Sequence, residues 1–437
     1  MSSVQALPTV RGIVRGTRRR MLAMATMAFF AGFAGVSIFG PLVPKFRDLM
    51  GLSAAEAALL AAIPNLTGSL LRIPFGAAVD RFGGKRPFLV LLAAANLGVI
   101  GLLVTIATRY PDHLAGWYPL LLVLGALVGC GIATFSVGVG LLSYWFPKSM
   151  QGSAQGAYAG LGNTGPGISA LLLPVAVAGI GMTAGYSIWF VILFAATIAF
   201  ALLAYDGPWF QYRRAGRSLS GPEAVALGGS DLVPSGSATE ALRRSARNGR
   251  TWVLVWYYFL SFGGFLALTA WLPSYWNGMY HVSLREAGIL TAAFSLVSAF
   301  IRVPGGLLSD RITIRWASEG NFALMLAGLV VLAFSTQMWV SFTATIAIAV
   351  GMGLQNAIVF KLLPIYVPDG VGGAAGWVGG LGALGGFAVP PMIGLVTGAV
   401  SGPHSYGFGF LPFAGLVLLA FPVALWARRH FGAPTPR

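Results

Sequence analysis

The feature that most constrains this chain is a series of long apolar runs that recurs from one end of the sequence to the other. A helix that crosses a bilayer needs about 20 consecutive, mostly apolar residues. Of the 437 residues, 57% are hydrophobic and only 9% are charged, against roughly a quarter charged in soluble domains. We predict an all-α membrane protein with twelve spans, at 21–43, 54–79, 87–107, 117–145, 151–176, 183–205, 252–278, 285–309, 320–336, 338–363, 370–399 and 405–428.

The net charge of +16 raises nucleic acid as an alternative partner. The positions of the basic residues argue against it, because they concentrate in the termini, in the loops after spans 2, 4 and 8, and in the stretch 206–251. The loops on the other side hold only Lys45, Arg47, Arg109 and Arg285. Cytoplasmic loops are enriched in Lys and Arg. We therefore expect cytoplasmic termini, a lipid bilayer as the surroundings and no nucleic acid.

The polar stretch 206–251 divides the spans into two groups of six. Its Gly, Ser, Pro and Arg content predicts a flexible cytoplasmic linker, of which about 238–249 could form a short amphipathic surface helix. We predict an N-terminal six-helix half at 1–205 and a C-terminal six-helix half at 252–437.

The two halves repeat each other. Span 2 contains Arg72, Pro74, Gly76, Asp80 and Arg81, and span 8 contains the same residue types 230 positions later. The second set is Arg302, Pro304, Gly306, Asp310 and Arg311. Parallel repeats of this kind are a known transporter plan, with substrate held near the membrane midplane between the halves.

Spans 5 and 11 share glycines at a separation of 220 residues. Glycines four residues apart lie on one helix face, where they leave a flat surface that another helix can approach closely. We predict that this surface serves packing and also lets helices slide or rock during transport. The glycines are Gly160, Gly162 and Gly165 in span 5, and Gly380, Gly382 and Gly385 in span 11.

Two arginines lie deep inside predicted spans. Arg72 precedes Asp80 by eight residues, or roughly 12 Å of helix, and Arg302 precedes Asp310 by the same interval. No Asp, Glu or His falls in the middle of a span to neutralise them. Because unpaired buried charges are very unfavourable, we predict that a bound anion supplies the missing charge. Alternatively, the arginines hydrogen-bond backbone carbonyls and brace the bundle.

Other charged residues allow more than one interpretation. Lys361 lies near the end of span 10, where it could snorkel to the interface or take part in coupling. The turn after span 2 carries Asp80 and Arg81, and its counterpart carries Asp310 and Arg311. We interpret these four residues as a latch that stabilises one conformation.

At this point the sequence resembles a known family. The stretch from Gly76 to Arg86 resembles the loop motif of the major facilitator superfamily. The glycine-rich segments 160–167 and 376–387 look like the two nitrate signatures of its nitrate/nitrite porter family. The resemblance implies that Arg72 and Arg302 bind the anion and that Asn163 adds a polar contact. It further implies that aromatic rings sandwich the anion: Phe135 in span 4 and Phe262 in span 7, with Tyr258 one turn earlier. Without the resemblance, core packing would explain these rings.

The resemblance implies nitrate and nitrite transport across the cytoplasmic (inner) membrane by alternating access. Exchange is favoured because no acid or histidine that could carry a proton lies in the middle of a span, and Lys361 leaves proton-coupled nitrate symport open. A carrier for another small anion is the further alternative. We expect a functional monomer with no cofactor and no metal. An enzyme is disfavoured because no cluster of nucleophile, base and metal ligands occurs in the spans.

Overall fold

The computed structural model describes residues 13–217, 238–308, 314–402 and 404–431. The regular structure in these ranges is helical, and twelve spans are long and apolar enough to cross a membrane. The predicted all-α, twelve-span architecture is therefore confirmed. The spans are Arg18–Met50, Ala54–Phe82, Lys85–Arg109, Ala115–Ser143, Lys148–Ile180, Met182–Leu203, Gly249–Tyr280, Leu284–Leu308, Ala317–Phe334, Met338–Tyr366, Val371–Ala399 and Ser405–Ala427.

Large aliphatic side chains cover the outside of the bundle. Leu97 is 64% exposed, Val191 61% and Leu202 68%. Exposed apolar surface on this scale is unfavourable in water but suits contact with lipid tails, which are as apolar as the side chains. The chain is a multi-pass membrane protein.

Spans 2 and 8 begin with the same local structure. Ser53 and Glu56 form a reciprocal capping box, in which Ser53 Oγ accepts from the Glu56 amide and Glu56 Oε2 accepts from the Ser53 amide. Ser283 and Glu286 form the same pair of hydrogen bonds. Such caps satisfy amides that a helix leaves unpaired at its start. The 230-residue repeat thus extends to the start of both spans.

Six of the described spans are interrupted, and the sequence patterns did not predict these interruptions. Spans 8 and 10, by contrast, run as single helices. The interruptions are a 3-10 turn at Ala34–Ser37 in span 1, a break at Leu71 in span 2, a break at 163–164 in span 5, a π-helical turn at Phe259–Gly263 in span 7, a 3-10 turn at Gly382–Leu384 in span 11 and breaks at 409–410 and Leu419 in span 12. Discontinuous helices expose backbone groups at the depth where transporters hold their substrates.

The glycines of spans 5 and 11 lie against partners in their own half. A methyl group on Gly165 would lie 2.5 Å from the Phe30 carbonyl oxygen of span 1. In span 11, a methyl group on Gly382 would lie 2.8 Å from Tyr258 Cβ of span 7. Gly162 faces the Phe29 ring of span 1 in the same way. These contacts hold helices together within a half, which agrees with the packing role predicted for these glycines; their part in helix movement stays a prediction.

Two other glycines of the predicted set differ. A methyl group on Gly380 would lie 2.5 Å from Ile73 Cγ1 of span 2, so Gly380 lies at the contact between the halves, which we call the seam. Gly160 is part-buried. Only Gly380 therefore has a described position that fits movement of one half against the other.

Six spans precede the linker and six follow it. Residue 13, the linker and residue 431 therefore lie on one membrane face, which we call the linker face; we call the other the opposite face.

Near the opposite face the seam is closed at three places. Arg47 Nη1 donates to Tyr406 Oη over 2.6 Å. Methyl groups on Gly40 and Gly394 would each lie 2.6 Å from a carbonyl oxygen across the seam, of Ala270 and Ala54 respectively.

Near the linker face the glycine surfaces are open. A methyl group added to Gly152, Gly156 or Gly372 would meet no atom within 4 Å. The described part of the chain therefore shows tight backbone contact between the halves toward the opposite face and open glycine surfaces toward the linker face.

Both ends of the linker are helical. Helices occur at Pro208–Arg214 and Ala238–Ala246, and the residues between 218 and 237 lie outside the described ranges. The second helix agrees with the short helix predicted at about 238–249, whereas the first was not predicted. The second helix packs on span 11, where Trp377 Nε1 donates to the Leu242 carbonyl oxygen over 3.0 Å.

We predict that Gly385→Ala destabilises the protein. The new methyl group would lie 2.5 Å from the Phe259 carbonyl oxygen and 2.9 Å from Gly263 Cα, and such overpacking costs about 1–3 kcal/mol. Gly372→Ala, in the same span, is the control, since it meets no atom within 4 Å. Thermal unfolding of purified protein should show a lower Tm for Gly385→Ala only. Equal Tm values for the two variants would contradict the packing described here.

Candidate anion site

Arg72 lies at the break in span 2 and is completely buried. Its guanidinium carbon is 5.1 Å from the centroid of the Phe135 ring and 5.1 Å from that of Phe262. Cations are attracted to aromatic faces at such distances. The guanidinium is therefore held between an aromatic ring from span 4 and one from span 7.

Only one N–H group of Arg72 is used by the protein. Nη1 donates to the Gly379 carbonyl oxygen of span 11 over 3.1 Å, whereas Nε and Nη2 have no hydrogen-bond partner. The alternative role of this arginine, hydrogen bonding to a backbone carbonyl, therefore explains Nη1 but leaves Nε and Nη2 unexplained. Two donors on one edge of a planar guanidinium match the two oxygens of a planar oxyanion.

Arg302 also lies over the Phe262 ring. Its guanidinium carbon is 6.0 Å from the Phe262 centroid and 5.6 Å from that of Phe360 in span 10. Nη1 is buried without a partner, while the side chain as a whole is part-buried. Both arginines therefore contact one shared ring, one from each half of the chain.

The two guanidinium groups repel each other electrostatically across this site. In the described residues, no Asp, Glu or metal-binding cluster compensates them. Interactions between charges are stronger in a low-dielectric interior than in water. An anion placed between the arginines would therefore gain from both charges and relieve their repulsion.

Two further polar groups predicted for the site are buried without partners. Asn163 caps the first helix of span 5, is 2% exposed, and leaves Oδ1 unpaired. Tyr258 is fully buried, and its hydroxyl is also unpaired. Its ring stacks on Phe262 with centroids 4.8 Å apart. Buried polar groups are seldom left unpaired, so both are available to a ligand.

The structure brings together the two rings that the family resemblance implied for the site. Phe135 and Phe262 share the Arg72 guanidinium as a partner, and their contact with the anion stays a prediction. The guanidinium is itself flat and cationic, so it competes with a ligand for the same aromatic faces.

Sequence reasoning missed two aromatic residues. Tyr158 of span 5 packs on Phe135, and its hydroxyl donates toward the carbonyl oxygens of Thr134 and Phe135. Phe360 contacts Arg302. The repeat could have indicated Phe360, because a ring beside Arg72 in span 4 implies one beside Arg302 in span 10. A polar contribution from backbone was expected at Gly379 and Gly380, because neither has a side-chain hydroxyl, and the Gly379 carbonyl makes such a contact with Arg72.

The two described latch residues, Asp80 and Arg81, lie away from the site. Asp80 Oδ1 accepts a hydrogen bond from Tyr144 Oη over 2.6 Å, and Arg81 is exposed. Asp310 and Arg311 lie outside the described residues. A neighbouring carboxylate was missed: Asp206 accepts from the Lys85 amide over 2.7 Å and pairs with Arg214 over 2.6 Å. These contacts join spans 2, 3, 4 and the linker.

Lys361 follows Phe360 directly and is part-buried. It lies five residues before the end of span 10 at Tyr366, or roughly 7.5 Å along the helix. This depth is compatible with snorkelling to the linker face and with a role near Arg302, so both interpretations stay open.

Twelve spans in two repeated sets, with broken helices and an arginine from each set at the centre, define a secondary transporter of the two-half type. The chain belongs to the nitrate/nitrite porter family of the major facilitator superfamily. A family model described as Major Facilitator Superfamily matches residues 24–390 and 280–435.

Curated relatives support the narrower assignment. A probable nitrate/nitrite antiporter of Thermus thermophilus is 32% identical, with 94% of this chain and 91% of the relative covered. The nitrite extrusion protein of Bacillus subtilis strain 168 is 29% identical, with 93% of each chain covered. A probable nitrate/nitrite transporter of Mycobacterium tuberculosis is 31% identical, with 93% and 96% covered.

Solved structures of other transporters share the fold. A bacterial homologue of the human lysosomal transporter Spinster, in an inward-facing and occupied conformation, has a TM-score of 0.70 at 17% identity. The comparison covers 97% of this chain and 100% of that one. The xylose transporter XylE of E. coli, partially occluded and inward open, also has a TM-score of 0.70, at 13% identity, with 95% and 100% covered.

We predict that Arg72→Met raises the Tm of the anion-free protein. The substitution removes a buried charge that lacks a counter-ion, which we expect to stabilise the fold by about 1 kcal/mol or more, and Met packs well against aromatic rings. Arg72→Lys keeps the charge and should bring no such gain. Thermal unfolding in nitrate-free and nitrite-free buffer makes the comparison. A Met variant that melts below the unmodified protein would show that Arg72 is mainly a brace.

Proposed function

We propose that this protein carries nitrate and nitrite across the cytoplasmic membrane by alternating access and exchanges one for the other. The observation that carries the proposal is the pair of arginines around Phe262, with unpaired N–H donors on both and no acidic counterpart among the described residues near them. The names of the relatives support nitrate and nitrite as the anions.

The size of the site supports a small substrate. Phe135, Phe262 and Phe360 surround the arginines, and Gly379 contributes only its backbone. A larger organic anion would need more room and more polar side chains than this apolar lining offers. A flat anion of three or four heavy atoms can use the arginine donors and the ring faces together.

The mechanism follows from the position of the arginines in different halves. An anion that contacts both arginines favours the conformation in which the halves are close, because a ligand shifts a population toward the state that it binds better. The halves then rock about the site. The predicted latch residues Asp80, Arg81, Asp310 and Arg311 would stabilise one of the end states.

The orientation is part of the proposal. Most Lys and Arg residues outside the spans lie on the linker face, which supports a cytoplasmic position for that face. The closed seam near the opposite face then corresponds to a conformation that is shut toward the outside. The protein would act as a monomer, since both arginines come from one chain.

Proton-coupled nitrate symport is the second candidate, because Lys361 lies next to Phe360 in the half of span 10 nearer the linker face. Exchange is favoured over symport because the described middle of the bundle contains no Asp, Glu or His to carry a proton.

We predict that Arg302→Lys reduces nitrate uptake by about 10- to 100-fold, since charge-assisted hydrogen bonds contribute about 1.5–3 kcal/mol and an ammonium cannot reproduce the guanidinium fork. Arg109→Lys is the control, because Arg109 ends span 3 and lies over the exposed Trp117 ring. Uptake of labelled nitrate into liposomes measures both variants. Near-normal flux through Arg302→Lys would refute the site.

We predict that liposomes loaded with nitrite take up labelled nitrate without a pH gradient. Exchange needs only an anion on each side, whereas symport needs a proton gradient to drive accumulation. Chloride-loaded liposomes are the control for leakage. Uptake that depends strictly on an imposed proton gradient, with no stimulation by internal nitrite, would favour symport instead.

A further inference from the structure

Three hydroxyl groups of span 8 are buried without hydrogen-bond partners. Thr291 and Ser295 are completely buried, Ser298 is 1% exposed, and none of their oxygens has a partner. Ser and Thr in helices often donate to the carbonyl four residues earlier, as Thr345 does here to Ser341 over 2.8 Å. Unpaired hydroxyls destabilise a fold, so their occurrence as a group calls for an explanation.

The three hydroxyls are in line with Arg302. The intervals from Thr291 to Ser295, Ser298 and Arg302 are four, three and four residues, which places all four side chains on one face of the helix. Span 8 begins near the opposite face at Leu284. The hydroxyls therefore form a row that leads from that side toward the guanidinium, over roughly 16 Å.

The contacts on either side of this row show where it points. On one flank, a methyl group on Gly167 of span 5 would lie 3.2 Å from Ser295 Cβ. On the other flank, Phe294 packs against Phe265 of span 7, with ring centroids 6.2 Å apart. Span 5 belongs to the first half and span 7 to the second. The row thus lies along the seam, in its closed part.

The first half has a matching row. Asn65 and Ser69 of span 2 lie seven and three residues before Arg72, both are completely buried, and Asn65 Oδ1 and Ser69 Oγ are unpaired. Asn65 and Ser295 are 230 residues apart, so they are equivalent in the repeat. Asn65 also reaches the seam, because its Nδ2 donates to the Gly386 carbonyl oxygen of span 11 over 3.3 Å.

We propose that these two rows line the path by which the anion moves between the arginine pair and the opposite face. The inference rests on the proposed function. Hydroxyl and amide N–H donors replace part of the water around an anion as it passes, and in the closed conformation the hydroxyls of both rows have no hydrogen-bond partner among the described residues. Apolar residues would stabilise the closed seam better but would offer a hydrated anion nothing during opening.

The test uses the triple variant Thr291→Val, Ser295→Ala and Ser298→Ala in the full chain. Uptake into intact cells is compared with uptake into everted vesicles, so that the anion approaches from each face in turn. We expect KM for approach from the opposite face to rise about tenfold, as the loss of one or two hydrogen bonds to an anion would produce. KM from the linker face should change less than about twofold, and Tm should be equal or higher.

Thr345→Val is the matched control, because it removes a buried hydroxyl that is already paired within span 10. The single variant Ser295→Ala provides the test if the triple variant expresses poorly. Unchanged KM from the opposite face, or equal losses from both faces with a lower Tm, would overturn the inference. If the unmodified protein transports no nitrate or nitrite, the proposed function fails. If it transports them and the triple variant has the same KM from the opposite face, only the inference about the path fails.

Discussion

The structure depends on one unsatisfied group, the Arg72 guanidinium, which is fully buried with two donors unpaired. A charge at mid-membrane needs nearby groups that stabilise it, and several elements of the protein supply such groups. Span 4 and span 7 contribute aromatic faces, and the interrupted span 11 contributes a carbonyl. Three of the interruptions lie next to this charge: Arg72 follows the break in span 2, Phe262 lies in the π-helical turn of span 7, and Gly379 lies three residues before the 3-10 turn of span 11.

The repeat is closer at the helix ends than at the centre. The capping boxes at Ser53 and Ser283 have the same hydrogen bonds, yet the two arginines differ. Arg72 follows a break and is fully buried, whereas Arg302 lies within a continuous helix and is part-buried. Identical motifs therefore hold the two guanidinium groups in unequal surroundings, and the Arg72 side is the more enclosed.

The spans and the two arginines could be predicted from the sequence. Bilayer thickness sets the length of each apolar run, and the penalty for a buried charge applies to a single residue, so both can be recognised without the structure. The partners of those arginines could not. Phe135 and Phe262 came from the family resemblance, and Phe360 could be inferred only by carrying the ring of span 4 over to span 10. The breaks within spans were missed because Gly, Ser and Asn occur in unbroken membrane helices as well. The ion pair of the buried Asp206 with the exposed Arg214 depends on how the linker folds back.

The glycine contacts determine which parts of the molecule can move independently. Backbones of spans 5 and 1 touch at Gly165, and those of spans 11 and 7 touch at Gly385. Rotation of one helix in such a pair would force its backbone into that of the other, so we expect each pair to move as one rigid unit. The halves touch as closely across the seam, at Gly40 and Gly394. Separation of the halves would break those contacts but leave the contacts within each half unchanged. The proposed rocking therefore moves each pair of helices as a unit and requires no bending of a long helix.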